Sequence, residues 1–257
     1  MAHPCRGQKH YIRKDKVTRN LKLATWNVRT LGDTGSRPER STAPVARELK
    51  RYDIDIAALS ETRLAETGQL VERGAGYTFY WQGRAADEPR QSGVGFVIKN
   101  SIAVTLPQLP KGISDRLIHI RIPLASKRFL SIVSAYAPTM TNEEEVKERF
   151  YQDLDQLLLS IPAEDKIIVM GDFNAQVGQN GGVWKSIIGK HGVGKENSNG
   201  NLLLSECAKH DLAITNTFFR LPAKKRTTWM HPRSKQWHLI DSSPNGETLR
   251  ACTQRSQ

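Results

Sequence analysis

With 257 residues, the chain is long enough to bury a full core as one large α/β domain. Mean hydropathy is −0.51, and no apolar run approaches the roughly 20 residues that cross a bilayer, so no membrane partner is expected. The net charge of +12 points instead towards polyanionic partners.

Residues 1–20 are polar, basic and without period, so they read as a disordered tail. No apolar stretch of signal-peptide type follows them. Residues 21–27 (LKLATWN) read as a buried strand, and 32–38 as a loop. A short helix is expected over 44–52, with Val45, Leu49 and Tyr52 on one face. Buried strands follow at 54–60, 77–82 and 93–99. Residues 117–122 (LIHIRI) alternate apolar with polar, so that strand is half-exposed. Residues 129–136 give another buried strand. Thr141 and Asn142 before three glutamates start a helix that runs to about Ser160, and Pro162 stops it. Next come a strand at 166–171, a glycine-rich loop at 178–182, a helix at 202–210 and a strand at 212–215. Two late strands are expected at 227–229 and 237–241. Strands outnumber helices, which fits two packed sheets with helices outside them.

Five of these strands end on a polar residue of catalytic type: Asn27, Glu61, Tyr136, Asp172 and Asp241. One aspartate after a strand is usually a turn former. Five such endings with complementary chemistry suit phosphodiester hydrolysis. A hard cation such as Mg²⁺, with Mn²⁺ as the alternative, takes oxygen ligands, which Glu61 and the amide of Asn27 supply. Asp172 can orient or deprotonate a water. Asn174 can hold that water or a phosphate oxygen, and Tyr136 offers a phenol to developing negative charge.

Thr25-Trp26-Asn27, Ser60-Glu61-Thr62, Ala135-Tyr136-Ala137-Pro138, Gly171-Asp172-Phe173-Asn174 and Trp237-His238-Leu239-Ile240-Asp241 occur in the order of the endonuclease/exonuclease/phosphatase superfamily, which the chain resembles over residues 20–241. Two further segments, 188–200 and 229–235, resemble the endonuclease domains of RTE-type non-LTR retrotransposons and the host proteins called craniofacial development protein 2-like. The resemblance implies a four-layer α/β sandwich, two packed mixed sheets flanked by helices. It implies Asn27 and Glu61 as metal-site residues and Tyr136, Asp172 and Asn174 as catalytic ones. It implies Asp241 as the carboxylate that orients a catalytic histidine.

The family pattern continues with a strand and a Ser-Asp-His motif. Here Asp241 is followed by a turn sequence, residues 247–257 are polar without strand pattern, and the chain holds no Asp-His pair. The expected layout is a basic tail over 1–20, the domain over 21–241 with its C-terminal strand missing, and an atypical tail over 242–257. Loss of one acid–base or donor group costs about 10²–10⁴ in rate, so weak or absent nuclease activity is expected. The alternative is a non-catalytic nucleic-acid or protein-binding module, and an inositol-phosphate or lipid phosphodiesterase is a third reading.

The charge is concentrated at the ends. Residues 1–22 carry seven Lys/Arg against Asp15, and 220–257 carry eight against Asp241 and Glu247, leaving the middle balanced. Such ends suit DNA, whose condensed counterions they would release, although solvated basic tails look the same in sequence. Lys224, Lys225, Arg226, Trp229, Arg233 and Lys235 form a candidate stacking and phosphate surface, or core tryptophans with solvated charges between them. Cys5, Cys207 and Cys252 are odd in number and widely spaced, which fits a reducing, intracellular compartment. The basic clusters favour the nucleus over the cytoplasm, and a monomer is expected.

Overall fold

A computed structural model describes residues 20–32, 39–179 and 182–220, together with the backbone of 229–230, 237–238 and 251–254. The first sheet contains β1 (Leu23–Asn27), β2 (Ile56–Ser60), β3 (Thr67–Glu72), β4 (Tyr77–Gln82) and β5 (Val94–Lys99) in the order β1-β2-β5-β4-β3. The second contains β6 (Lys111–Ser114), β7 (Leu117–Pro123), β8 (Phe129–Tyr136), β9 (Lys166–Asp172), β10 (Leu212–Ile214) and β13 (Ala251–Gln254) in the order β10-β13-β9-β8-β7-β6. A separate antiparallel ribbon joins β11 (Trp229–Met230) to β12 (Trp237–His238). Each main sheet has one parallel pair, β1 with β2 and β8 with β9, and its other pairs are antiparallel.

The period of two along each strand assigns the layers. In β2, Ile56 and Ala58 face the space between the sheets, where Phe96, Ile98, Ile118, Ile120, Ile132 and Met170 meet them. The alternate residues Ala57 and Leu59 face outward, against Val45, Ala46 and Leu49 of α1 (Glu39–Arg51). In β8, Val133 and Ala135 point the other way, onto Phe150, Leu154 and Leu157 of α3 (Glu144–Ser160) and Leu203, Leu204 and Cys207 of α4 (Ser198–Lys209). The result is helix, sheet, sheet, helix: the four-layer α/β sandwich. Each large aliphatic side chain so enclosed contributes about 1.5–3 kcal/mol. α2 (Asn100–Ala103) is a single turn after β5.

The structure departs from the sequence reading at several elements. The first helix begins at Glu39 rather than at Pro44, which lies inside it and removes one helical N–H. The edge strands β3 and β6 were not anticipated; both are half-exposed and gain their definition from one neighbour each. α4 begins at Ser198, because the Asn197 side chain caps it by accepting from the Gly200 N–H at 2.7 Å.

The largest correction concerns the expected missing C-terminal strand. Residues 251–254 fill that position, pairing antiparallel with β9 on one side and β10 on the other. Their composition gave no strand pattern, but two open ladders flank the position and supply backbone partners to any extended segment. Residues 1–19 lie outside the described residues, as do Lys224, Lys225, Arg226, Arg233, Lys235 and Asp241; of Trp229 only the backbone is described.

Candidate active site

The two parallel pairs end at the same edge of the sandwich. Asn27 aligns with Ser60 at the end of β1 and β2, and Tyr136 aligns with Asp172 at the end of β8 and β9. Carboxyl ends of parallel strands are where α/β sheets gather ligand-binding groups. Here two such ends face each other, and one amide spans them. The Asn27 Nδ2 donates to Glu61 Oε1 at 2.8 Å and to Asp172 Oδ2 at 3.0 Å, tying the first sheet to the second. Its Oδ1 accepts from the Arg29 N–H at 3.0 Å, which fixes the amide's orientation.

Asp172 is buried, and its other oxygen, Oδ1, accepts from the Asn174 N–H at 3.0 Å. Asn174 Nδ2 donates to the Ala137 carbonyl at 2.9 Å, locking the loop after β9 to the loop after β8. Glu61 Oε2 pairs with Arg63 at 3.2 Å. Glu61 and Asn174 both adopt left-handed backbone, with φ of 55° and 46°. For Glu61 this costs about 1–3 kcal/mol, so its surroundings over-determine a strained position; asparagine tolerates the region better.

Gly171 has φ +145°, and a Cβ there would overlap the Ala135 carbonyl oxygen on the neighbouring strand. Only glycine lets β9 approach β8 that closely while delivering Asp172 to the edge. The motif is therefore legible as mechanics: a backbone approach, then a carboxylate, then an amide that clamps the adjacent loop.

Tyr136 is buried, and burial pushes its phenol well above the ordinary range, with the Glu61 and Asp172 carboxylates adding to the rise. It stays protonated at neutral pH and can act as a hydrogen-bond donor. Arg116 opposes the shift: its guanidinium lies 5.0 Å over the Tyr136 ring and its Nη1 donates to the Tyr136 carbonyl at 3.2 Å.

Arg116 was missed by sequence reasoning, because nothing in Asp115-Arg116-Leu117 marks it as other than a turn. Asn199 was missed too. It is buried at 1% exposure, and its Nδ2 donates to the carbonyls of Pro138 at 2.8 Å and Asn174 at 3.2 Å. It thus pins both site loops to the first turn of α4. Its signal was present in Asn197-Ser198-Asn199-Gly200, two asparagines at a helix start, where one caps and the other buttresses.

The donor set suits a hard divalent cation: two carboxylates, Glu61 and Asp172, converge on one amide, with that amide's own oxygen in the same side chain. The described histidines make their contacts elsewhere. His119 is influenced by Asp165, the main-chain N–H of His191 donates to the Thr217 carbonyl, and His210 meets Asp155 and Glu206. Among the described residues, no helix is long and apolar enough to cross a membrane.

The fold and the polar edge together define an α/β sandwich protein whose site lies at the ends of paired parallel strands. The chain belongs to the endonuclease/exonuclease/phosphatase family, whose pattern matches residues 24–239. It is 32% identical over 222 residues to craniofacial development protein 2 of Bos taurus, covering 85% of this chain and 35% of that protein. It thus spans about a third of the length of the curated craniofacial development protein 2 relatives it matches. It is 25% identical over 151 residues to the Transposon TX1 uncharacterized 149 kDa protein of Xenopus laevis, covering 58% of this chain and 11% of that protein. Among solved structures it is similar to the 3′ phosphatase NExo from Neisseria bound to product DNA hairpin, with a TM-score of 0.57 and 14% identity over 91% of this chain and 87% of that one. At that identity the likeness is one of fold.

Proposed function

We propose that the chain is a divalent-metal-dependent phosphodiester hydrolase of the DNA endonuclease kind, with low turnover. One observation carries this reading: a single amide, Asn27, bridges Glu61 and Asp172 from opposite sheets beside a protonated Tyr136. Glu61 and Asn27 would hold Mg²⁺, or Mn²⁺ in its place. When bound, the ion supplies polarisation of a phosphoryl oxygen and charge neutralisation at the leaving oxygen.

The chain's own residues would do the rest. Asp172, held by two N–H donors, orients an attacking water and takes its proton. Asn174 positions that water or a phosphate oxygen through its amide. Tyr136 donates to charge that develops on phosphate. Asp241 would orient a histidine, and the sequence supplies no Asp-His pair. That gap is the reason for expecting low turnover, and it favours the second reading, a binding module that keeps the fold without the chemistry.

DNA as the partner is supported by the basic ends of the sequence and by the product DNA hairpin held by the Neisseria relative in fold. A nuclear location and a monomeric state complete the proposal. The test is nicking of supercoiled DNA with Mg²⁺ or Mn²⁺, run beside a salt-dependent DNA-binding titration. Weak nicking that vanishes in Asp172→Ala supports the hydrolase reading. Binding without nicking favours the module, and no binding at low salt removes both. Robust, Asp172-dependent nicking would refute the low turnover.

A further inference from the structure

A second polar cluster lies far from the strand ends. α3 starts at Glu144 beside the site loops and runs back along β8, and Asp155 is eleven residues along it. α4 starts where Asn199 grips the site loops, and His210 lies eleven residues beyond that asparagine. At the helical rise of about 1.5 Å per residue, Asp155 and His210 stand about 16 Å along their helices from the site end. There Asp155, Glu206 and His210 bring their ligand atoms within 4.8 Å of one another. Glu206 and His210 are spaced i and i+4, which puts both on the face of α4 turned to α3.

The hydrogen bonding of this cluster does not close. His210 Nε2 stands 2.7 Å from Asp155 Oδ1 and 3.1 Å from Glu206 Oε1, and one ring nitrogen carries at most one proton. Lys209 Nζ also approaches Asp155 Oδ1, at 2.6 Å, so both donors serve the same oxygen. Glu206 is only 8% exposed, and its Oε1 is buried with no hydrogen-bond partner. A buried carboxylate oxygen left without a donor costs about 1–3 kcal/mol or more. Burial accordingly pushes the Glu206 carboxyl above its ordinary range, although His210 and Lys209 pull it back.

We propose that Asp155, Glu206 and His210 bind a divalent ion of the Zn²⁺ class, which clasps α3 to α4 at the end of the fold remote from the candidate active site. One imidazole nitrogen and two carboxylate oxygens form a borderline donor set that selects Zn²⁺ over Mg²⁺ or Ca²⁺ and leaves a fourth position for water. Ligand atoms about 2.1 Å from a tetrahedral ion stand about 3.4 Å apart, so small outward shifts of the three side chains make room. The ion takes the place of the proton on Nε2, which is released to solvent, and it satisfies Glu206 Oε1. Lys209 keeps Asp155 from carrying an unbalanced charge when the ion is absent.

This inference is independent of the hydrolase reading. The test is Zn²⁺ uptake by the whole chain, measured by equilibrium dialysis with elemental analysis, and the thermal shift that Zn²⁺ produces. The expected result is one tightly held equivalent that survives Glu61→Gln and Asp172→Asn, while His210→Ala and Glu206→Gln weaken it more than tenfold and abolish the shift. Asp155→Asn, at a partly exposed position, repeats the test should Glu206→Gln fail to fold. Uptake unchanged in the cluster variants, or lost only in Glu61→Gln, would overturn the proposal, as would an absence of uptake by the unmodified chain.

Discussion

The two polar clusters of this protein are built on opposite plans. The strand-end cluster draws Asn27, Glu61 and Asp172 from two different sheets, through left-handed backbone at Glu61 and a glycine that no other residue can replace. The helix-end cluster draws Asp155, Glu206 and His210 from regular helix and a helix cap, with no unusual backbone. In the first, a shared amide serves both carboxylates. In the second, one imidazole faces two carboxylates and leaves one oxygen unserved. Strain with satisfied hydrogen bonds marks a site that tertiary structure holds in place; regular backbone with an unserved group marks one that an added ion would complete.

The contrast can be broken most forcefully at Asp172. Replacing it with Asn should lower whatever nicking rate the chain has by about 10²–10⁴-fold while leaving the urea midpoint nearly unchanged. An equal rate would detach the strand-end cluster from the chemistry. Gly171→Ala should destabilise the fold by about 2–4 kcal/mol in urea unfolding, because both its φ and the Ala135 carbonyl oppose it. Asn199→Ala should cost about 1–3 kcal/mol and should also lower nicking, since it releases both site loops from α4. A loss of stability with nicking intact would show that the buttress is merely structural.

The smallest effect concerns acid. Arg121 holds Asp165 in a two-pronged ion pair at 2.7 and 2.8 Å and keeps its carboxyl below the ordinary value, despite burial. A carboxyl lowered on folding adds stability above its unfolded value, near 4, and loses it as pH falls through the folded value. Asp165→Asn should therefore flatten the acid limb of a stability–pH curve below about pH 4. An unchanged acid limb would mean that the pair contributes nothing.

Much of the fold was legible because its layers rest on strands buried on both faces. Runs such as Ile56–Ser60 and Phe129–Tyr136 are nearly continuous in apolar residues, and each strand-end motif carries its polar residue in sequence. What escaped was whatever depended on a neighbour. The edges β3 and β6 are half-exposed, and β13 takes its form from the gap between β9 and β10. Within the site, Asn27, Glu61, Tyr136, Asp172 and Asn174 come together as their positions suggested. Arg116 and Asn199 act through contacts twenty or more residues away, which no local pattern encodes. His210 closes the helix expected over 202–210; that it meets Asp155 fifty-five residues earlier is a fact of packing.

The strand-end cluster is proposed as a divalent-metal site for phosphodiester chemistry. Anomalous scattering from crystals of the chain soaked in Mn²⁺ tests it most directly. An ion is expected beside the Glu61 and Asp172 carboxylates and the Asn27 amide. Density confined to the helix-end cluster, or an Asn27 amide still bridging two carboxylates with no ion between them, would contradict it.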